Sequence, residues 1–309
     1  LWAKCSSTLE DGADQAPSLI APALTMRRLI EGHYLEFLED SAADGTIRDY
    51  RAALNAWDRF GKPRKAIDDL YADDFKRFCR AATAAGTSPA TVDKWLRVYR
   101  AGCRFGLSEG LIDRVPVMRP LPQPEQIKCR PTLAELSKLH RAARVARWPD
   151  RAGGPAKWWR AFFVLVYVGA LRRSDCLNHL RWDQVQADGI HGRRVKRNRL
   201  TFIPMLPCVK SHLAALDRDS AFILPCPNGP RQFKQAQDAI GKAAGVVLTP
   251  HAIKRTATDE WFAADTSGTA GHIISHARQS VTIRNYLDRV RWLKTVAPKL
   301  AIPEAFGGG

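Results

Sequence analysis

The stretch Val115–Gln126, VPVMRPLPQPEQ, places four prolines in twelve residues. Each proline fixes φ, removes a backbone donor and disfavours helix at the residue before it. No long helix or central strand can run through such a segment, so the chain divides there. A chain of 309 residues is long enough for two domains. The linker is assigned to residues 119–130, because Pro131-Thr132-Leu133-Ala134-Glu135 opens a new helix with a capping box. Residues 1–23 are small and polar and read as a flexible lead-in, without the basic-then-apolar layout of a signal peptide. The two domains are then 24–118 and 131–309, the latter ending in a helix and tail.

Residues 24–118 have helical periodicity. Met26, Leu29, Ile30, Tyr34 and Phe37 recur at i, i+3, i+4 spacing and are expected to face inward. A second helix fits Thr46–Phe60, with Ile47, Tyr50, Leu54 and Trp57 inward, and a third fits Asp73–Ala85. A fourth starts at Ser88-Pro89, a cap residue followed by proline in the first turn. On it, Val92, Trp95, Leu96, Tyr99 and Cys103 form an apolar stripe, and Lys94, Arg97, Arg100 and Arg104 form a basic one. With Asp93 as the one acidic neighbour, this stripe is either a solvated face or a phosphate-contacting one. Beyond the linker, helices are expected near 132–146, 156–171, 173–180, 208–217, 230–244, 250–264 and 279–301. A short β region covers 182–204, with Leu200–Pro204 as its clearest strand. The fold class is mostly α with a small β region.

Charge narrows the partner. Lys and Arg number 48 against 31 Asp and Glu, a net charge of +17. Such an excess points first to a polyanion. A membrane is excluded as the main partner, because the longest apolar run, Ala161–Leu171, is too short to span a bilayer. The seven cysteines are scattered and lack Cys-x-x-Cys spacing, so reduced thiols in the cytoplasm are expected, with no metal site and no cofactor.

Four patches carry chemistry. In ALRRSDCLNHLRW (170–182) two arginines follow an apolar helix, which is costly unless they are paired or bind an anion. In RRVKRNRLTFIP (193–204) five cations precede the strand, as at a hairpin tip. In PHAIKRTATDEWF (250–262), His251, Lys254 and Arg255 share one helix face. In SHARQSVTIRNYLDRV (275–290), His276 lies ten residues before Tyr286. Each alone has an ordinary structural explanation: an Arg–Asp pair, a solvated turn, a core histidine, a core tyrosine.

In this order and spacing the four patches resemble the tyrosine recombinase (phage integrase-like) family over about residues 132–290, and the preceding helical segment looks like that family's core-binding domain. The resemblance implies a mixed α/β catalytic domain and assigns roles by position. Arg172 would be the first catalytic arginine, with Asp175 its buttress. Lys196 would be the hairpin lysine, with Arg197 or Lys210 as alternatives. His251 and Lys254 would form the His-x-x-Arg box, His276 the Gly-His element, and Tyr286 the nucleophile. Gly271-His272 also offers a Gly-His pair, but at fourteen residues from Tyr286 its spacing fits less well. Lys254 stands where the second arginine is expected, and Arg255 is the alternative occupant. Lys94, Arg97, Arg100, Arg104, Arg173 and Arg255 would bind DNA.

What the resemblance implies is site-specific recombination of double-stranded DNA through a 3′-phosphotyrosyl intermediate. Neither metal nor cofactor takes part, and a homo-tetramer forms on paired sites, DNA-associated in the cytoplasm. A DNA-binding relative with little catalysis and a type IB topoisomerase remain as alternatives. The segment after Tyr286, with Trp292, Leu293 and Val296 on an apolar face, would dock on a neighbouring subunit or pack on its own.

Overall fold

A computed structural model of the chain describes residues 23–39, 41–123, 129–150, 154–193, 200–227, 230–265 and 289–307. The chain divides into two compact units at 126/127.

The first unit is helical: α1 (Met26–Leu29), a π-helical turn (Ile30–Tyr34), α2 (Leu35–Leu38), α3 (Asp44–Phe60), α4 (Ala72–Ala84) and α5 (Pro89–Ser108). Its core is built on Trp57 of α3, whose ring lies 5.3 Å from Phe75, 5.5 Å from Phe78 and 5.3 Å from Tyr99. The buried Tyr99 hydroxyl donates to the Ala53 carbonyl at 2.6 Å, so the ring's polar edge is satisfied. Ser88 caps α5 through its Oγ, with Pro89 in the first turn. The helix then crosses α1 closely. A Cβ on Gly102 would sit 2.5 Å from Ile30, and one on Gly106 would sit 2.8 Å from Leu29.

Two expectations are corrected in this unit. Phe37 does not face inward but is 65% exposed, and Leu35 is buried instead. The π-turn at Ile30–Tyr34 is the reason: its extra residue shifts every later position round the helix axis. The basic stripe of α5 also has more partners than its own helix suggests. Lys94 pairs with Asp49 of α3 at 2.6 Å, both half-exposed, and Arg100 donates to the Met118 carbonyl at 2.5 Å. Asp93 is taken by the backbone of Leu121 and the amide of Gln123. Arg97 and Arg104 remain exposed on the same face.

The second unit surrounds one apolar helix. α7 (Pro155–Val168) is buried along nearly its whole length by α6 (Leu133–Ala142), α9 (Pro207–Ala214), α11 (Pro250–Ala264) and the strand β2 (Leu200–Pro204). β2 pairs antiparallel with β1 (Gly189–Arg193), with His191 opposite Phe202 and Arg193 opposite Leu200. α10 (Pro230–Ala244) packs on α6 and sends Phe233 into a cluster of Trp148, Trp158, Trp159 and Phe162. α12 (Arg289–Val296) and α13 (Glu304–Gly307) close the unit.

Here too the sequence expectations shift. The helix after α7, α8 (Arg173–Cys176), ends four residues sooner than expected. Asn178 takes a left-handed φ of 51°, and its side-chain amide both donates to and accepts from the Cys226 backbone, which breaks the helix. Of the expected helix 279–301, residues 279–288 lie outside the described residues; the rest contains α12, which gives way to a 3₁₀ turn at Ala297–Lys299 containing Pro298. The last segment packs on its own chain. Leu293, Val296 and Phe306 are buried, and the Tyr167 hydroxyl donates to the Ala301 carbonyl.

Beneath α13 lies a buried histidine pair. His212 Nδ1 donates to the Cys208 carbonyl at 2.7 Å, which leaves its Nε2 to accept from His140 Nε2 at 2.8 Å. Both rings are therefore neutral. Burial lowers the His140 pKa to about 3, helped by His212, Arg160 and Arg141, and burial lowers that of His212 as well. An unfolded histidine gains its proton near 6.5, whereas the folded ring stays neutral down to about 3. The stability from the neutral pair is thus complete above the unfolded pKa and is lost as the pH falls below it.

Two measurements follow. Gly102→Ala should lower stability by about 1–3 kcal/mol, because Ile30 must move to admit the methyl group; an unchanged melting temperature would contradict the close crossing. His140 alone should make the protein about 2 kcal/mol less stable at pH 5 than at pH 8. The variant carrying His140→Leu with His212→Leu should flatten that dependence, and a wild-type protein already flat would contradict the neutral pair.

Candidate active site

The site begins where α7 ends. Leu171 N–H bonds the Val166 carbonyl and Ala170 N–H bonds the Tyr167 carbonyl, both at 3.1 Å. These two bonds form a Schellman cap, with Ala170 left-handed at φ 44°. The cap turns the chain sharply, and Arg172 follows in an extended conformation as the N-cap of α8. The Asp175 carboxylate is fully buried. It accepts from the Arg172 backbone N–H at 3.1 Å and lies 3.8 Å from the Arg172 guanidinium. The next guanidinium, that of Arg173, stacks over the Phe233 ring at 5.1 Å.

The second part is the start of α11. Thr249 caps it, accepting from Ala252 N–H at 3.0 Å, with Pro250 in the first turn. No acidic residue stands in that turn. His251, Lys254 and Arg255 all lie near this N-terminus, where backbone N–H groups already present positive charge. His251 is exposed, Lys254 and Arg255 are half-buried, and Lys254 Nζ is withdrawn from solvent. Arg255 leans toward the segment before α6, donating to the Cys129 carbonyl at 3.3 Å.

The two parts converge. The His251 pKa is lowered by partial burial and then by the charges of Arg255, Lys254, Arg172 and Arg173. Four cations from two chain segments act on one imidazole. α11 is held against the end of α7 by the buried Trp261, whose Nε1 donates to the Val168 carbonyl at 3.0 Å. On its other flank, Arg130 pairs with Asp259 at 2.7 Å and Thr256 donates to the Pro131 carbonyl at 2.6 Å.

Of the residues expected from sequence, the structure brings together Arg172, Arg173, Asp175, His251, Lys254 and Arg255. Lys210 is exposed on α9, outside the hairpin. Lys94, Arg97, Arg100 and Arg104 belong to the first unit. Lys196, Arg197, His272, His276 and Tyr286 lie outside the described residues. The sequence reading missed Phe233 beneath Arg173. The stripe Phe233, Ala236, Ile240 marks it as inward-facing, but no local pattern says which cation it meets. Among the described residues, no group of three or more His, Cys, Asp or Glu could hold a metal ion, and no helix is long and apolar enough to cross a membrane.

No family model and no curated protein matches the sequence. Solved structures do. A lambda integrase tetramer bound to a Holliday junction matches at TM-score 0.68 and 16% identity, covering 88% of this chain and 84% of that one. A lambda integrase dimer bound to a COC′ core site matches at TM-score 0.65 and 16% identity, covering 88% and 95%. The Tn1549 transposon integrase in complex with circular intermediate DNA matches at TM-score 0.64 and 16% identity, covering 86% and 96%. The chain has the fold of the tyrosine-recombinase integrases. On that integrase fold, the expected mostly helical class with a small β region is what the structure contains, the β region being a two-stranded sheet among the described residues.

His251 gives a direct check on the charge cluster. Its Cε1 proton resonance, assigned through His251→Gln, should titrate below about 6.5 in the free protein. Duplex DNA should raise that value, because an anion among the cations favours the imidazolium. A free-protein value at or above the ordinary one would contradict the convergence.

Proposed function

We propose that the chain is a site-specific DNA recombinase that cuts and rejoins strands through a 3′-phosphotyrosyl intermediate. The observation that supports it most is the gathering of Arg172, Arg173, Lys254 and Arg255 around His251, at a helix N-terminus with no carboxylate in its first turn. In the integrase fold, such a cluster suits a phosphodiester whose charge grows in the transition state.

In this reading the Tyr286 phenolic oxygen attacks the scissile phosphorus. The new P–O(Tyr) bond forms as the P–O5′ bond breaks. His251, neutral at working pH, takes up or relays the phenolic proton, and Lys196 gives a proton to the departing 5′-oxygen. Arg172 binds a non-bridging oxygen with its planar fork, oriented by Asp175, and His276 binds a phosphate oxygen. Lys254 takes the place of the second arginine. Arg255, turned toward the Cys129 carbonyl, serves DNA binding with Arg173. Lys is a point charge and cannot donate bidentately, so this substitution lowers the rate without removing the chemistry. The phosphodiester energy is kept in the covalent link, so a second 5′-hydroxyl can reverse the step on another strand.

The outer face of α5, with Lys94, Arg97, Arg100 and Arg104, contacts phosphates elsewhere on the duplex, and four subunits act on paired sites. One feature favours a second reading, a DNA-binding relative with little catalysis: the lysine at 254. A type IB topoisomerase would differ by relaxing arbitrary supercoiled plasmid as a monomer.

Covalent trapping tests the proposal. Nicked duplexes covering the ends of the encoding element are incubated with wild type, Tyr286→Phe, Arg172→Ala, Lys254→Arg and Lys254→Ala, and resolved on a denaturing gel. The expected result is a DNA–protein adduct abolished by Tyr286→Phe and slowed about 10²–10³-fold by Arg172→Ala. Lys254→Arg should keep or raise the yield and Lys254→Ala should lower it. Sequence-specific binding with no adduct from any variant would leave the DNA-binding reading in its place.

A further inference from the structure

Two surface features take no part in the cation cluster. The first is a knob. The π-turn at Ile30–Tyr34 carries Phe37 outward and leaves it 65% exposed. The ring is held in place: it stacks with Tyr34 at 6.4 Å and lies 5.0 Å from Phe105 of α5, both half-buried. Glu36 and Glu39 flank it. Both are exposed, and neither has an ion pair among the described residues. Glu31, earlier in the same segment, is instead paired with Arg27. In a chain of net charge +17, this is a local acidic and aromatic projection.

The second feature is a cleft along α10. Val145 and Trp148, from the segment after α6, line it together with Ala236, Ala239 and Ala243, and its volume is about 720 Å³. The three alanines stand at i, i+3 and i+7, so they form one stripe, and their small side chains let another chain approach the helix closely. Val145 is 39% exposed, and Trp148 is only partly buried. Arg147 and Lys242 also line the cleft, and among the described residues no acidic side chain does. Both cations are exposed and have no ion pair among the described residues. Lys234 of the same helix is instead paired with Asp238 at 2.7 Å, so the one carboxylate of α10 serves a cation outside the cleft. Exposed apolar surface rimmed by polar groups marks an interaction site. This one suits an apolar group accompanied by carboxylates. A DNA backbone brings charge but nothing apolar. Phe37 with Glu36 and Glu39 brings both.

We propose that the Phe37 knob of one copy of the chain docks in the α10 cleft of a second copy. The ring meets Trp148 and the alanine stripe, and Glu36 and Glu39 meet Arg147 and Lys242. Knob and cleft are different surfaces, so the contact is heterologous: the first copy keeps its own cleft open, and the second keeps its own knob. Most of the affinity comes from the ring, because burying a phenylalanine is worth more than an exposed ion pair. The charges choose the partner surface and its orientation. The contact goes beyond the recombinase reading and does not depend on it.

Sedimentation equilibrium of the full chain without DNA tests the docking. Wild type should self-associate at concentrations up to about 100 μM. Phe37→Ala should weaken association about tenfold or more. Arg147→Glu with Lys242→Glu should weaken it as well, because like charges then face each other. Glu36→Lys with Glu39→Lys should do so without altering the ring. All are exposed substitutions and should leave the melting temperature near that of wild type. The deciding sample is a mixture. Phe37→Ala protein keeps an intact cleft, and Arg147→Glu/Lys242→Glu protein keeps an intact knob. Mixed one to one they should form a heterodimer, although each alone is mostly monomer. Glu36→Lys/Glu39→Lys protein in place of Phe37→Ala should behave alike. A monomeric wild type, variants that associate as wild type does, or mixtures that stay monomeric would overturn the docking. With DNA absent, none of these results bears on the recombinase reading.

Discussion

The rest of the site depends on one buried contact, the Trp261 indole against the end of α7. The last carbonyls of any helix lack intrahelical partners. In α7 that end is buried, so an unpaired carbonyl there would be costly. Trp261 Nε1 takes the Val168 carbonyl, while the Schellman cap at Ala170 and Leu171 takes the Tyr167 and Val166 carbonyls. One small region thus ends the helix, turns the chain and fixes α11 beside it. The turn presents Arg172 and Arg173, and the fixed helix presents His251 and Lys254.

The cluster works against its own electrostatics. Cations at a helix N-terminus oppose the backbone dipole, and here two more arrive from the α7–α8 turn. The protein offsets this in part with nearby acceptors and a ring. Phe233 lies beneath Arg173, Asp175 is buried beneath Arg172, and a backbone carbonyl receives Arg255. The His251 pKa is lowered first by partial burial and then by the repulsion that is left. A phosphodiester entering the cluster would remove that repulsion, so on the proposed function binding would be coupled to the protonation of His251.

Much of this was legible in the sequence because it is local. Helical periodicity found α3, α4, α5, α7, α10 and α11 to within a few residues, and Ser88-Pro89 and Thr132–Glu135 marked starts that the structure caps as expected. The grouping of Arg172 with His251 and Lys254 came from the resemblance to the tyrosine recombinases, carried by the order and spacing of four patches along the chain. What failed was non-local or came from a single inserted residue. The π-turn at Ile30–Tyr34 moved Phe37 to the surface, and nothing in the apolar pattern signals that extra residue. Asn178 ends α8 by pairing with Cys226, forty-eight positions away. Asp49 meets Lys94 across two helices, and Asp188 meets Lys294 across more than a hundred residues. Such pairs are set by packing and leave no local trace.

The most direct test of the central claim, that the α7–α8 turn and α11 form one phosphate site, is the salt dependence of duplex binding. Affinity would be measured from about 50 mM to 500 mM salt for wild type and for Arg172→Gln, Arg173→Gln and Lys254→Gln combined. Each phosphate neutralised contributes about 0.9 to the log–log slope. If the three cations share one phosphate, the combined variant loses about one unit of slope. A loss near three would mean three separate phosphates and an ordinary basic surface, and no loss would mean that the cluster does not meet DNA; either result would contradict the account.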